Sequence, residues 1–133
     1  MFLFDTVALS EAAKPQANEG FLAWLDAVPV VHIHTSVLCL GEIRRGIEML
    51  PTGAKRERLA EWLEMDLPTM LAGRVLSVDG DVAQIWGRFG ARGSQSPIDA
   101  LIGANAAAAG LTIVTRNVRD FDGLGVAVLN PWT

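Results

Sequence analysis

The chain opens "MFLFD", four apolar residues in a row that end on a carboxylate. A strand that is apolar on both faces belongs inside a sheet, not on its surface, so Met1–Phe4 is expected as a short, fully buried strand of a parallel sheet. Asp5 then stands at the strand's C-terminal end, which is the edge where open α/β sheets bind ligands. Two roles are open to it. It can cap the helix that starts near Val7, satisfying orphan backbone N–H groups, or it can belong to a site at that edge.

The rest of the chain supplies the partners such a strand needs. "DTVALSEAAKP" reads as a short helix stopped by Pro15, and "NEGFLAWLDAVP" as a second, capped by Asn18, with Phe21, Trp24, Leu25 and Val28 on one face. "VVHIHTS" is a β-branched second strand. Ser36 can cap a longer third helix, "VLCLGEIRRGIEML", apolar at Leu40, Ile43, Ile47 and Leu50. After the break at "PTG", "AKRERLAEWLEMDLPTML" continues as a charged amphipathic helix that Pro68 is expected to end or kink. "RVLSVDGD" gives a short strand and turn, and "VAQIWGRFGARG" another helix. "SQSPIDALIGANAAAAG" holds a helix start, body and C-terminal glycine in order. "LTIVTRN" is the fourth strand, "VRDFDGLG" a turn or short helix, and "VAVLNPW" the last strand. Strands alternating with helices imply an α/β fold whose central, mainly parallel sheet of four to five strands is covered by helices. The long helical stretch from Val37 to about Met70 is expected as a two-helix arm packing against a partner.

At 133 residues, half of them apolar and a fifth charged, the chain is expected to be one folded domain, residues 1–133. No apolar run approaches the roughly 18–20 residues of a membrane span. The N-terminal apolar run is short and no basic segment precedes it, so a cytoplasmic location is expected. The lone Cys39, in "VLCL", rules out an internal disulfide and a Cys-rich zinc site, and reads as a buried, inert thiol. A net charge of −4 argues against a broad nucleic-acid surface but leaves room for local basic patches at "GEIRRG", "AKRER" and "TRNVR".

The acids are better placed than composition requires. Asp5 ends the first strand. Glu42 shares a helix face with Leu38 and Gly46, although a pair with Arg45 at i, i+3 would also explain it. Asp99 is the third residue of a helix beginning at Pro97, where "SPID" also fits a capping box with Ser96. The small residues behind it, Ala100 to Ala108, would let that helix pack closely at the centre. Asn117 and Asp120 follow the fourth strand, where a turn or cap would equally account for them. Each acid has a local explanation, yet Asp5, Asp99 and Asn117 or Asp120 all fall at one sheet edge, and Glu42 can face it. Crowded carboxylates take up protons unless a cation joins them, and an all-oxygen set suits Mg²⁺ or Mn²⁺.

With these residues placed, the chain resembles the PIN-domain ribonucleases of the VapC toxin family, in particular the FitB-like branch. The resemblance spans the whole chain through "FLFDT", "LGEIRRGI", "PIDALIGANAAAAG", "IVTRNVRDF" and "LNPW". It implies a three-layer PIN-like α/β/α fold and an Mg²⁺- or Mn²⁺-dependent endoribonuclease acting on RNA. It also implies a cognate small antitoxin and a homodimer, with no membrane partner. Asp5, Glu42 and Asp99 match the main acidic positions, with Asp5 and Asp99 as metal ligands. Thr6 matches the threonine after the first acid, and Thr115 a polar residue beside the metal pocket. Arg116 and Arg119 are candidates for holding the substrate backbone. Two departures stand out: Val7 where the family often has Asn, and Asn117 where a fourth acid commonly follows "TR", with Asp120 three residues on.

Rival readings remain at this point. Asp5 could be a phosphoryl-transfer nucleophile, but the second acid such patterns want two positions on is Val7. A PIN-like chain that binds without cleaving is kept open by Asn117. "HIH" could hint at a metal through His32 and His34, with no third ligand in view.

Overall fold

Five parallel strands form the centre of the protein in its computed structural model, which describes residues 1–90 and 95–133. They are β1 (Phe2–Phe4), β2 (Ile33–Ser36), β3 (Val75–Leu76), β4 (Thr112–Val114) and β5 (Val128–Leu129). Their order is β3-β2-β1-β4-β5, with β1 paired to β2 on one side and β4 on the other. The helices α1 (Thr6–Ala12), α2 (Glu19–Asp26), α3 (Val37–Glu48), α4 (Ala54–Glu61), α5 (Leu67–Met70), α6 (Gly80–Gly90) and α7 (Pro97–Ala109) flank it. This is the expected three-layer α/β/α architecture. Every strand runs the same way, so all the C-terminal ends lie at one edge. The chain leaves β1 toward β2 on one side and returns as β4 on the other, which makes the β1–β4 boundary the topological switch point.

The burial explains why the strands are apolar throughout. Leu3, Phe4, Ile113 and Val114 are all within 1% of complete burial, so neither face of β1 or β4 meets water. Phe21 packs edge-on to Phe4 from α2, with Trp24 beside both.

Local chemistry sets the helix ends. Asp5 caps α1 through Oδ1, which accepts the Ala8 N–H at 2.9 Å. Asn18 caps α2, Ser36 caps α3 and Ser96 caps α7, as their sequence positions suggest. Gly110, at φ 67°, ends α7 in the left-handed region that glycine enters without strain.

Several local expectations need correction. Val30–His32 forms a 3₁₀ turn and not the start of β2, because Pro29 seeds it and accepts the His32 N–H at 2.9 Å. Val30 and Val31 are about half exposed there and have no packing to hold them in a strand. His32 and His34 therefore do not sit together on one strand, and among the described residues no group of three His, Cys, Asp or Glu side chains is close enough to hold one ion directly. Of the two outcomes expected at Pro68, an end or a kink, the helix does not end but is distorted. The turn before it, Trp62–Asp66, widens to π geometry and the helix resumes as α5. The wider turn absorbs the missing N–H and ring bulk that a proline imposes on a regular helix. The tail expected for α6, residues 91–93, and Ser94 of "SQSP" lie outside the described residues. Among the described residues no helix is long and apolar enough to cross a membrane.

Candidate functional site

At the switch point the end of β1 delivers Asp5 and the end of β4 delivers Thr115, fixed side by side by the sheet. The Asp5 N–H donates to the Val114 carbonyl at 3.2 Å, so the backbone under this carboxylate is part of the ladder. Asp5 is only 7% exposed. Burial pushes its carboxyl from 3.8 to about 6; the Thr115 hydroxyl and the Ala8 N–H oppose the rise, and the charges of Glu42 and Asp120 add to it. Thr115 is itself fully buried and accepts the Asn117 N–H at 3.0 Å through Oγ1, so one hydroxyl links the acid to the loop after β4.

Asp99 arrives from the first turn of α7. Ser96 accepts its N–H at 3.2 Å, which is half of the expected capping box. The returning bond, from the Ser96 N–H to the Asp99 carboxylate, is not among the hydrogen bonds of the described residues, so capping does not use up the carboxylate. Partial burial raises the Asp99 carboxyl; the Ser96 hydroxyl opposes this, and the charges of Asp120 and Glu42 raise it further. Glu42 makes no ion pair with Arg45. Its Oε1 accepts the Thr6 hydroxyl at 2.5 Å, which ties α3 to the first turn of α1 directly beside Asp5.

The structure thus brings Asp5, Glu42, Asp99 and Asp120 into one electrostatic neighbourhood, each bearing on at least one of the others. Asp120, in the 3₁₀ turn Val118–Phe121, acts on both Asp5 and Asp99. Among the described residues the Asn117 side chain has no hydrogen-bond partner, and only its backbone is engaged. Arg116 and Arg119 are exposed on the same loop and make no ion pair among the described residues. Arg44 and Arg56, by contrast, are committed to Glu48 and Glu64 on the helical arm.

The donor set suits a divalent cation by its chemistry: oxygen ligands only, the Asp5 and Asp99 carboxyls both raised, and no basic side chain paired with any of the four among the described residues. Their separation suits Mg²⁺ or Mn²⁺ better than a cage of protein ligands would, because such ions keep several waters and bind through one or two carboxylates. Cys39, fully buried and with its thiol pushed by burial up to about 11, takes no part.

Two hollows open on the surface, and only one of them borders these acids. One of about 460 Å³ runs from Thr6 and Glu42 between α1, α3 and α4, over an apolar floor that includes Ile43, Ile47, Leu59 and Trp62. A larger one, about 710 Å³, lies between β3, α6 and α7 and contains none of the four acids, so size alone does not locate the site. Sequence reasoning also missed two polar residues buried in the core, Thr35 and Asn105. The available signal was Asn105 itself, the polar residue interrupting "GANAAAA".

Comparison with known proteins identifies the family to which this fold belongs. The PIN domain family model matches residues 2–126. Toxin FitB of Neisseria gonorrhoeae is 36% identical over 99% of both chains, and VapC ribonuclease Y4jK of Sinorhizobium fredii is 31% identical over 99% of this chain and 98% of its own. The crystal structure of FitAcB from Neisseria gonorrhoeae superposes with a TM-score of 0.92 at 35% identity, covering 99% of each chain. The chain belongs to the PIN-domain family, and its full-length relatives put it in the FitB-like branch of the VapC toxins.

Proposed function

We propose that this chain is an Mg²⁺- or Mn²⁺-dependent endoribonuclease, the toxin of a type II toxin–antitoxin pair. The observation that carries the reading is the convergence of Asp5, Glu42, Asp99 and Asp120 at the switch point of a PIN sheet. A relative named as a ribonuclease over nearly its full length supports it.

Asp5 and Asp99 would hold the ion, with Glu42 and Asp120 reaching it through water. Asp120 takes the fourth position in preference to Asn117, because its charge bears on both ligands. When bound, the ion supplies a polarised water and stabilises negative charge on a phosphodiester. Glu42, oriented by the Thr6 hydroxyl, is the exposed carboxylate suited to take the proton from the attacking water. Thr115 holds Asp5 in orientation, and Arg116 and Arg119 grip the flanking phosphates, which positions the RNA without reading its sequence. The apolar hollow that opens at Thr6 and Glu42 is the surface for a segment of the antitoxin, which would cover the acids by lying in it. Exposed apolar side chains such as Trp86 support burial in a homodimer.

The test is cleavage of total RNA, tRNA included, by the chain purified free of antitoxin, in Mg²⁺, Mn²⁺ or EDTA, with Asp99→Asn alongside. Discrete cuts that need both metal and Asp99 are expected. Wild-type cleavage by Asp99→Asn overturns the site, and folded wild-type protein that never cuts makes the chain a non-cleaving binding partner.

A further inference from the structure

Asn105 lies 2% exposed on α7, a helix rich in small residues on which Ala100, Ala104 and Ala106 are also buried. Its Oδ1 accepts the Ser36 hydroxyl at 2.6 Å, and its Nδ2 donates to the Ser77 carbonyl at 3.0 Å. Ser36 is fully buried at the end of β2 and caps α3, accepting the Leu38 N–H at 3.1 Å. A side-chain hydrogen bond therefore ties the start of α3 to the later half of α7, and the two helices pack together.

The spacing gives this bond its meaning. Glu42 is six residues after Ser36, and Asp99 is six residues before Asn105. Glu42 in turn bears on Asp99. Each acid thus stands about 9 Å along its helix from the Ser36–Asn105 bond, at 1.5 Å per residue. A surface of alanine and glycine offers few ridges for a neighbouring helix to lock against. On such a face one buried polar contact fixes the register, as a single buried Asn does in a coiled coil.

We propose that the buried Ser36–Asn105 pair is a register pin that positions Glu42 against Asp99, so that Asn105 acts as a positioning residue for the metal site. This rests on the metal-site reading above. A ligand set loses its productive geometry when its supporting groups let it drift by about an ångström, and loss of an outer partner of a metal site typically weakens binding by about 10–100-fold.

The test measures Mn²⁺ binding to the full chain by calorimetry, and melting temperature without metal, for wild type, Asn105→Leu, Ser36→Ala and the double variant, with Asp99→Asn as control. Each single variant is expected to bind Mn²⁺ about tenfold or more weakly, and the double no worse than the weaker single, because both remove one contact. If Asn105→Leu fails to fold, Ser36→Ala, which deletes a single oxygen, carries the test. A lower melting temperature with unchanged Mn²⁺ affinity makes the pair a packing feature only and overturns the pin, as do losses that add in the double. If wild type binds Mn²⁺ and Asp99→Asn does not, the site stands and only the pin is in question; if wild type binds none, both fall together.

Discussion

Asp5→Asn should make the metal-free protein more stable, not less. In the folded chain the Asp5 carboxyl holds its proton up to about pH 6, against 3.8 as its ordinary value. Between roughly pH 4 and 6 the folded state thus binds more protons than the unfolded state, and stability falls as pH rises through that window. Two pKa units at about 1.4 kcal/mol each put the cost of the ionised form at about 3 kcal/mol at pH 7. Asparagine keeps the cap on α1, since it ranks with aspartate at that position, and removes the charge, while its amide still pays part of the burial cost. A net gain of about 2 kcal/mol, or roughly 7 °C in Tm for a chain of this size, is expected. The measurement is thermal unfolding from pH 4 to 8 in EDTA, then again with Mn²⁺. The wild-type and Asp5→Asn curves should converge toward pH 4 and separate above pH 6, and Mn²⁺ should raise the Tm of wild type alone. An Asp5→Asn variant that is less stable than wild type at pH 7 refutes the reasoning, because Asp5 would then be only a cap.

Two further perturbations address the frame around the site. A Cβ at Gly103 would stand 2.9 Å from Leu124 Cδ1, so Gly103→Ala should lose about 1 kcal/mol in urea unfolding, as overpacking outweighs the gain in helix propensity; a net gain in stability would mean Leu124 moves aside freely. Glu11 is buried and accepts the Asn18 N–H at 2.8 Å and Lys14 Nζ at 3.1 Å, with the Asn18 bond the main cause holding its carboxyl below 4.5. Glu11→Gln should cost about 1–2 kcal/mol at pH 7, with the deficit closing as acid protonates wild-type Glu11 through its lowered pKa; a deficit independent of pH would point to shape and not charge.

What the sequence revealed, and what it hid, follow from the range of the forces involved. The strands at Phe2–Phe4 and Thr112–Val114 and the caps at Asn18, Ser36 and Ser96 were legible because burial on both faces and a cap's hydroxyl are signals of a few adjacent residues. The 3₁₀ turn at Val30–His32 was not, because β-branched composition promises a strand that only sheet packing can deliver, and here the sheet starts at Ile33. Asp5 shows the same limit in the site. Its position allowed a cap or a ligand as alternatives, yet a carboxylate has about four acceptor positions and a cap occupies one. The Ala8 N–H takes that one through Oδ1 and holds the group rigid, while Glu42 and Asp120 oppose its charge from elements far away in sequence. Capping is therefore what orients the carboxylate proposed as a metal ligand, and a substitution that keeps the cap while deleting the charge separates the two roles.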